Sequence, residues 1–146
     1  MLNRAGWKFA VACVVLAVAA CSKSDPEQAL RTQFAGLQSA IEAKDASALQ
    51  QFLAEDFIGN DGMDRRQARA MATMLMTRYQ SLGVTIGPLD VKMQPPVNAQ
   101  VAFTAMMTGG TGNPLPERIQ AYQVETAWRE VGGEWVMYHA KWTPRL

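Results

Sequence analysis

The hydrophobic period of this 146-residue chain changes once, near Leu82, and that change limits the folds open to it. Before it, apolar residues recur at helical spacing. Asp25-Pro26-Glu27-Gln28 sets a capping carboxylate ahead of a proline at the first helical position, with a glutamine three residues after the cap. Leu30, Phe34, Leu37 and Ile41 then follow at intervals of four, three and four, which predicts one apolar stripe reaching about Lys44. Asp45 can cap a second, short helix with Leu49, Phe52 and Leu53 on its apolar side. Phe57-Ile58 reads as a short strand and Asn60-Asp61-Gly62 as a turn. Asp64-Arg65-Arg66-Gln67 repeats the capping pattern and opens a third helix, expected to run to about Leu82 with Ala68, Met71, Ala72, Leu75, Tyr79 and Leu82 on one face and Gly83 as its stop.

After it, the period is that of strands. Val84 to Met93, bent at Gly87-Pro88, then Val97 to Met107, Ile119 to Val131 and Glu134 to Thr143 are predicted strands. Pro95-Pro96 and Gly132-Gly133 mark turns between them, the second of the two-residue hairpin type. Gly109-Gly110-Thr111-Gly112 has no following Lys-Ser/Thr and leads into Asn113-Pro114, so it reads as a hairpin loop, not a phosphate loop. Helices gathered first and a meandering antiparallel sheet gathered last define an α+β chain with its helices on one sheet face.

A separate segment precedes this domain. Arg4 and Lys8 flank the start of an apolar run that ends Leu16-Ala17-Val18-Ala19-Ala20-Cys21-Ser22. A basic start, an apolar stretch of about a dozen residues and small residues at the end are the marks of an export signal, and the run is well short of the roughly 20 residues a spanning helix needs. The Val-Ala-Ala-Cys ending resembles the bacterial lipobox. That resemblance implies a signal peptide over 1–20, an acylated tether over 21–24 that carries palmitate or similar chains on Cys21, and a folded domain over 25–146. Ser22, in place of an aspartate, points to the periplasmic face of the outer membrane. Several acyl chains hold a protein on a membrane without a spanning helix.

Composition restricts the chemistry. Without 1–20 the chain keeps 12 basic and 13 acidic residues, so no basic excess supports nucleic-acid binding. Cys13 lies in the signal and Cys21 is consumed by lipid, which leaves the domain no thiol for a disulfide or a metal. His139 is the only histidine, and a zinc site would have to be built mainly from carboxylates; neither a metal nor another cofactor is expected. Asp25, Asp45 and Asp64 are accounted for as caps, Glu55-Asp56 as a solvated turn and Asp61 as part of a plain turn, so no acid/base dyad stands out. The methionines at 71, 74, 76, 93, 106, 107 and 137 read as core filler or as an adaptable lining for an apolar ligand.

The order of a long capped helix, a short helix, Asp56-Phe57-Ile58 in a short strand, a third helix and a bent sheet closing on Glu134-Trp135-Val136-Met137-Tyr138-His139 resembles the nuclear transport factor two-like, or SnoaL-like, family. The resemblance implies a cone: a curved antiparallel sheet wrapped around an apolar cavity, with helices one and three beside it. Members include isomerases, cyclases, dehydratases, epoxide hydrolases and proteins with no known chemistry. The isomerases' aspartate, tyrosine and protonated acid and the dehydratases' paired histidines cannot be laid on this sequence residue by residue.

The last hairpin gives a local expectation. With Val131 facing Glu134, Trp128 faces Met137, Thr126 faces His139 and Val124 faces Lys141. One face, taken as concave, then collects Tyr122, Val124, Thr126, Trp128, Trp135, Met137, His139 and Lys141. The candidate ligand-binding residues are Tyr122, Thr126, Trp128 and His139, with Tyr79 as their neighbour on the third helix. His139 reads either as an imidazole bonded to Thr126 at the core edge or as a ligand or proton-transfer group. The opposite face offers Val136, Tyr138 and Trp142 as a homodimer patch. Three functions remain open on these residues: a noncatalytic, lipid-anchored periplasmic binder of a small apolar ligand or protein partner; a SnoaL-like lyase, isomerase or hydrolase using His139 with Tyr122 or Tyr79; and a structural envelope component.

Overall fold

Each of the three helix starts is fixed by an aspartate, as its local sequence requires. The computed structural model describes residues 25–111 and 118–145; the expected signal over 1–20, the expected acylated tether over 21–24 with Cys21, and residues 112–117 lie outside the described residues. The Asp25 carboxylate accepts the Glu27 N–H ahead of α1 (Pro26–Glu42), and Asp45 accepts the Ala48 N–H ahead of α2 (Ala46–Gln51). At α3 (Arg65–Arg78) the Asp64 carboxylate and the Gln67 side chain bond each other's backbone N–H groups in a complete capping box. Among the described residues no helix is long and apolar enough to cross a membrane.

The strands are β1 (Leu53–Ile58), β2 (Ser81–Ile86), β3 (Asp90–Gln94), β4 (Asn98–Gly110), β5 (Arg118–Val131) and β6 (Glu134–Arg145). They form one sheet in the order β1-β6-β5-β4-β2, with β3 also paired to β4. Gly132 and Gly133, at φ of 60° and 85°, make the β5–β6 turn, a conformation that glycine adopts without steric cost.

Leu53, expected on the second helix, and Glu55-Asp56, expected in a turn, lie in β1, and four further expectations change. The sheet is mixed, because β1 joins β6 in parallel. The strand expected over 84–93 divides into β2, paired to 105–110, and β3, paired to 98–102, with Gly87-Pro88-Leu89 between them. The third helix ends at Arg78, not Leu82: the ladder from Ser81 to Gly110 claims Leu82 and Gly83, and the Lys44 ammonium donates to the Tyr79 and Gln80 carbonyls that the helix leaves unpaired.

The fourth change moves the site. From Val131↔Glu134 to Trp128↔Met137 the hairpin keeps the expected register, but Ala127 then pairs with His139, leaving Tyr138 as an extra residue. This bulge shifts the rest of β6 by one, so Thr126 faces Ala140 and Val124 faces Trp142. The reason is burial. Uninterrupted alternation from Trp135 would have turned His139 and Lys141 inward and Trp142 outward, whereas the bulge buries Ala140, takes Trp142 to the core side and leaves His139 and Lys141 exposed.

The core runs along α1 and the inner sheet face. Leu30 and Phe34 pack with Ala99, Val101, Trp128, Trp135 and Met137. The Phe34 ring meets Phe103 edge-on at 4.9 Å and Trp128 at 6.1 Å between centroids.

Candidate functional site

Towards the C-terminal end of α1 the core gives way to a cavity of about 460 Å3. Phe34, Leu37, Gln38 and Ile41 of α1 form one wall, and Met71, Met74 and Leu75 of α3 form the wall across from it. Val84 and Ile86 of β2 close one side. The floor is the sheet: Phe103, Ala105 and Met107 of β4, Tyr122 and Val124 of β5, and Trp142 of β6. The space exists because α3 packs chiefly on α2 and the edge strand β1 and not on the middle of the sheet; Ala68 is its one buried residue, and Met74 remains 56% exposed.

Trp142 is fixed in this floor from behind. The Asn60 side-chain amide donates to the Trp142 carbonyl at 2.7 Å, and its oxygen accepts the Trp142 N–H at 3.1 Å. Gly59 makes the approach possible, since a Cβ there would stand 3.2 Å from the indole. Asn60-Asp61-Gly62 is therefore a short 3-10 turn with Asp61 at φ 56°, as the turn reading expected, but its first residue positions a cavity wall.

Of the sequence-derived candidates, Tyr122 lines the cavity. Trp128 is fully buried and reaches no cavity; its indole N–H donates to the Thr126 hydroxyl at 2.8 Å, which itself donates to the Val101 carbonyl at 2.7 Å. Both are core residues whose polar atoms satisfy each other. Tyr79 caps the end of α3, with its ring packed where a side chain on Gly109 would stand. It meets Tyr122 at a recess of about 640 Å3 at the mouth of the cone.

His139 is the main correction. It lies on the outer face, exposed, and is bonded neither to Thr126 nor to anything in the cone; it borders a shallow hollow with Asp90, Lys92, Gln100 and Glu125. Both readings that put this imidazole inside the cone fail on the bulge. Among the described residues no group of three histidine, cysteine, aspartate or glutamate side chains could hold a metal. The outer face also loses Trp142 from its expected apolar patch. Val136 stays half-buried opposite Arg129, and the Arg129 guanidinium lies 5.2 Å from the centre of the Tyr138 ring and pairs with Asp56. That pairing holds the Asp56 carboxyl below its ordinary value and raises Arg129.

Sequence reasoning missed Gln38, Phe103 and Trp142 as lining residues and Asn60 as the clamp. The signal for Trp142 was present: Trp135, Met137, Ala140 and Trp142 fall on one face only if a residue is skipped after Met137. The methionine reading as an adaptable lining fits Met71, Met74 and Met107.

No protein-family model and no curated protein sequence matches the chain. Solved structures do. A candidate scytalone dehydratase from Novosphingobium aromaticivorans DSM 12444 superposes with a TM-score of 0.74 at 13% identity over 82% of this chain and 84% of its own. A candidate dehydratase of the nuclear transport factor two-like family from Streptomyces avermitilis gives 0.70 at 15%, over 82% and 95%. A nuclear transport factor two-like protein from Cytophaga hutchinsonii ATCC 33406 gives 0.65 at 16%, over 83% and 99%. Identities this low bear on fold alone. With its curved six-stranded sheet, the helices across it and the cavity between them, the chain adopts the nuclear transport factor two-like, SnoaL-like cone fold.

Proposed function

We propose that this protein is a lipid-anchored, noncatalytic binder of a small apolar ligand, which it holds in the cone between α1, α3 and the sheet. The observation that carries the reading is the lining. Fifteen of the described residues line the cavity, and among them only Gln38, Tyr122 and Trp142 carry a side-chain nitrogen or oxygen. Its volume of about 460 Å3 falls within the roughly 300–1,000 Å3 typical of small-molecule sites, which pair apolar walls with a few polar groups. Tyr122 is the one titratable side chain among the described residues of this lining, too little to supply a general acid and a general base. Two structural neighbours are named as candidate dehydratases, which gives a lyase reading its support; the imidazole that reading needed lies on the outer face. The anchor rests on Val18-Ala19-Ala20-Cys21-Ser22.

The test titrates the detergent-solubilised full chain with the neutral fluorophore N-phenyl-1-naphthylamine, against a detergent blank. Saturable binding is expected, weakened about tenfold or more by Val124→Phe, which fills the floor, with the thermal melt retained. Binding that ignores this substitution would place the probe elsewhere and overturn the reading. Labelled palmitate should mark the wild type and not Cys21→Ser, and equal labelling of both removes the anchor.

A further inference from the structure

The cone cavity does not end in plain solvent. It continues into the recess at its mouth, sharing Leu75, Met107 and Tyr122 with it, and that recess is cationic. Arg78, the last residue of α3, and Arg118, the first of β5, both line it. Both are exposed, and neither is used in an ion pair: among the described residues the pairs are Arg31–Glu27 and Arg129–Asp56. No carboxylate is among the described residues that line the recess. The Arg78 guanidinium carbon lies 5.9 Å from the centre of the Tyr79 ring, so an aromatic face supports the cation without neutralising it.

The other arginines of α3 have different situations. Arg65 donates to the Gln50 carbonyl and Arg69 to the Gln50 side chain, which ties the helix to α2, and Arg66 lies about three turns before Arg78 on the outward groove of α3, which Arg78 also borders, and does not line the mouth. Arg78 and Arg118, neither with a carboxylate partner among the described residues, therefore stand where the apolar cavity opens.

We infer that the ligand is an amphipathic anion, with its apolar part in the cavity and a carboxylate or similar oxyanion held between Arg78 and Arg118. The inference rests on the cavity reading above and adds the ligand's chemical class. A guanidinium presents paired N–H donors that match a carboxylate, and a charge-assisted bond of this kind is stronger than a neutral one. An apolar tail anchored in the cavity would bring the head to the arginines at no further cost of association. A neutral apolar molecule would use the cavity and leave both cations in water.

The experiment compares dodecanoate with 1-dodecanol, which share a tail length and differ in charge, by displacement of N-phenyl-1-naphthylamine from the detergent-solubilised full chain. Each ligand is compared across variants in the same detergent, so partition into micelles cancels. Replacing both residues, Arg78→Gln with Arg118→Gln, should weaken dodecanoate about tenfold and change 1-dodecanol by less than about twofold. Arg66→Gln, which removes a charge from the same helix away from the mouth, should leave both within about twofold. Added salt should weaken dodecanoate more than 1-dodecanol. Dodecanoate binding unchanged in the double variant, an equal loss for both ligands, or an equal effect from Arg66→Gln would each overturn the inference. Failure of the wild type to bind the fluorophore at all is a separate result and overturns the cavity reading instead.

Discussion

The two ends of α1 lie over the same sheet face and meet opposite conditions. Near its N-terminus Leu30 is wholly buried in one cluster with the fully buried Trp128, and Phe34, at mid-helix, divides this filled end from the cavity. Near its C-terminus Gln38 and Ile41 overlook the cavity of about 460 Å3. The β4 positions beneath are alike: Ala99 lies under the filled end and Ala105 under the open one, each almost inaccessible. What differs is the cross-strand partner. Ala99 pairs with Trp128, a large indole whose N–H is satisfied by Thr126, whereas Ala105 pairs with Tyr122, whose ring lines the cavity and the mouth. Both ends are apolar, so hydrophobicity alone does not determine where a core fills and where it stays open. The volume of a few side chains and the position of α3 do.

The strongest way to break this contrast is at the filled end. Trp128→Ala should cost about 3 to 5 kcal/mol in a denaturant titration, because it removes the largest fully buried side chain and leaves Thr126 one partner short. A loss under about 1 kcal/mol would mean that the two ends are equally loose.

A matched pair sharpens it. Ala99→Leu adds methylenes where there is no room and should cost about 1 to 3 kcal/mol, while Ala105→Leu projects into the cavity and should stay within about 1 kcal/mol of wild type, measured the same way. Equal costs would show that the cavity closes in solution.

The smallest expected effect lies on the outer face, away from both ends. Arg129 holds Asp56 below its ordinary pKa of 3.8, so the ionised carboxylate is favoured by folding. Its contribution is present above that value and is lost as the pH falls through the lower folded one. Asp56 is solvent-exposed, so the contribution is small. Comparing melts of wild type and Asp56→Asn at pH 6 and near pH 3 should show a slightly smaller acid-induced loss in the variant. An equal loss would show that the pair contributes nothing.

Much of the scaffold was legible in the sequence because the deciding interactions are local. A capping aspartate bonds an N–H two or three residues away, and Gly132-Gly133 can make a two-residue turn whatever surrounds it. The candidate site was less legible. Tyr122, expected on the concave face, lines the cavity and meets Tyr79 at the mouth, but Thr126 and Trp128 turned out to be a self-satisfied core pair, and His139 turned out to face outward. The His139 error came from one residue. Strand alternation has a period of two, so a single extra residue at Tyr138 exchanges the two faces of everything after it.

The three capped helices, the strands that follow them and their α+β order were legible in the sequence, since these depend on spacing and on contacts a few residues apart; the cone was what the family resemblance implied. The tertiary structure decided where α3 stops, that β1 enters in parallel, and which aromatic residues fill the core and which line the cavity. Those outcomes depend on competition between distant segments for the same surface: β4 drawing Leu82 out of the helix, and the inner face drawing Trp142 in and leaving His139 in water. Local pattern cannot express such a competition, because its free energy resides in side-chain volumes and buried area that exist only once the segments meet.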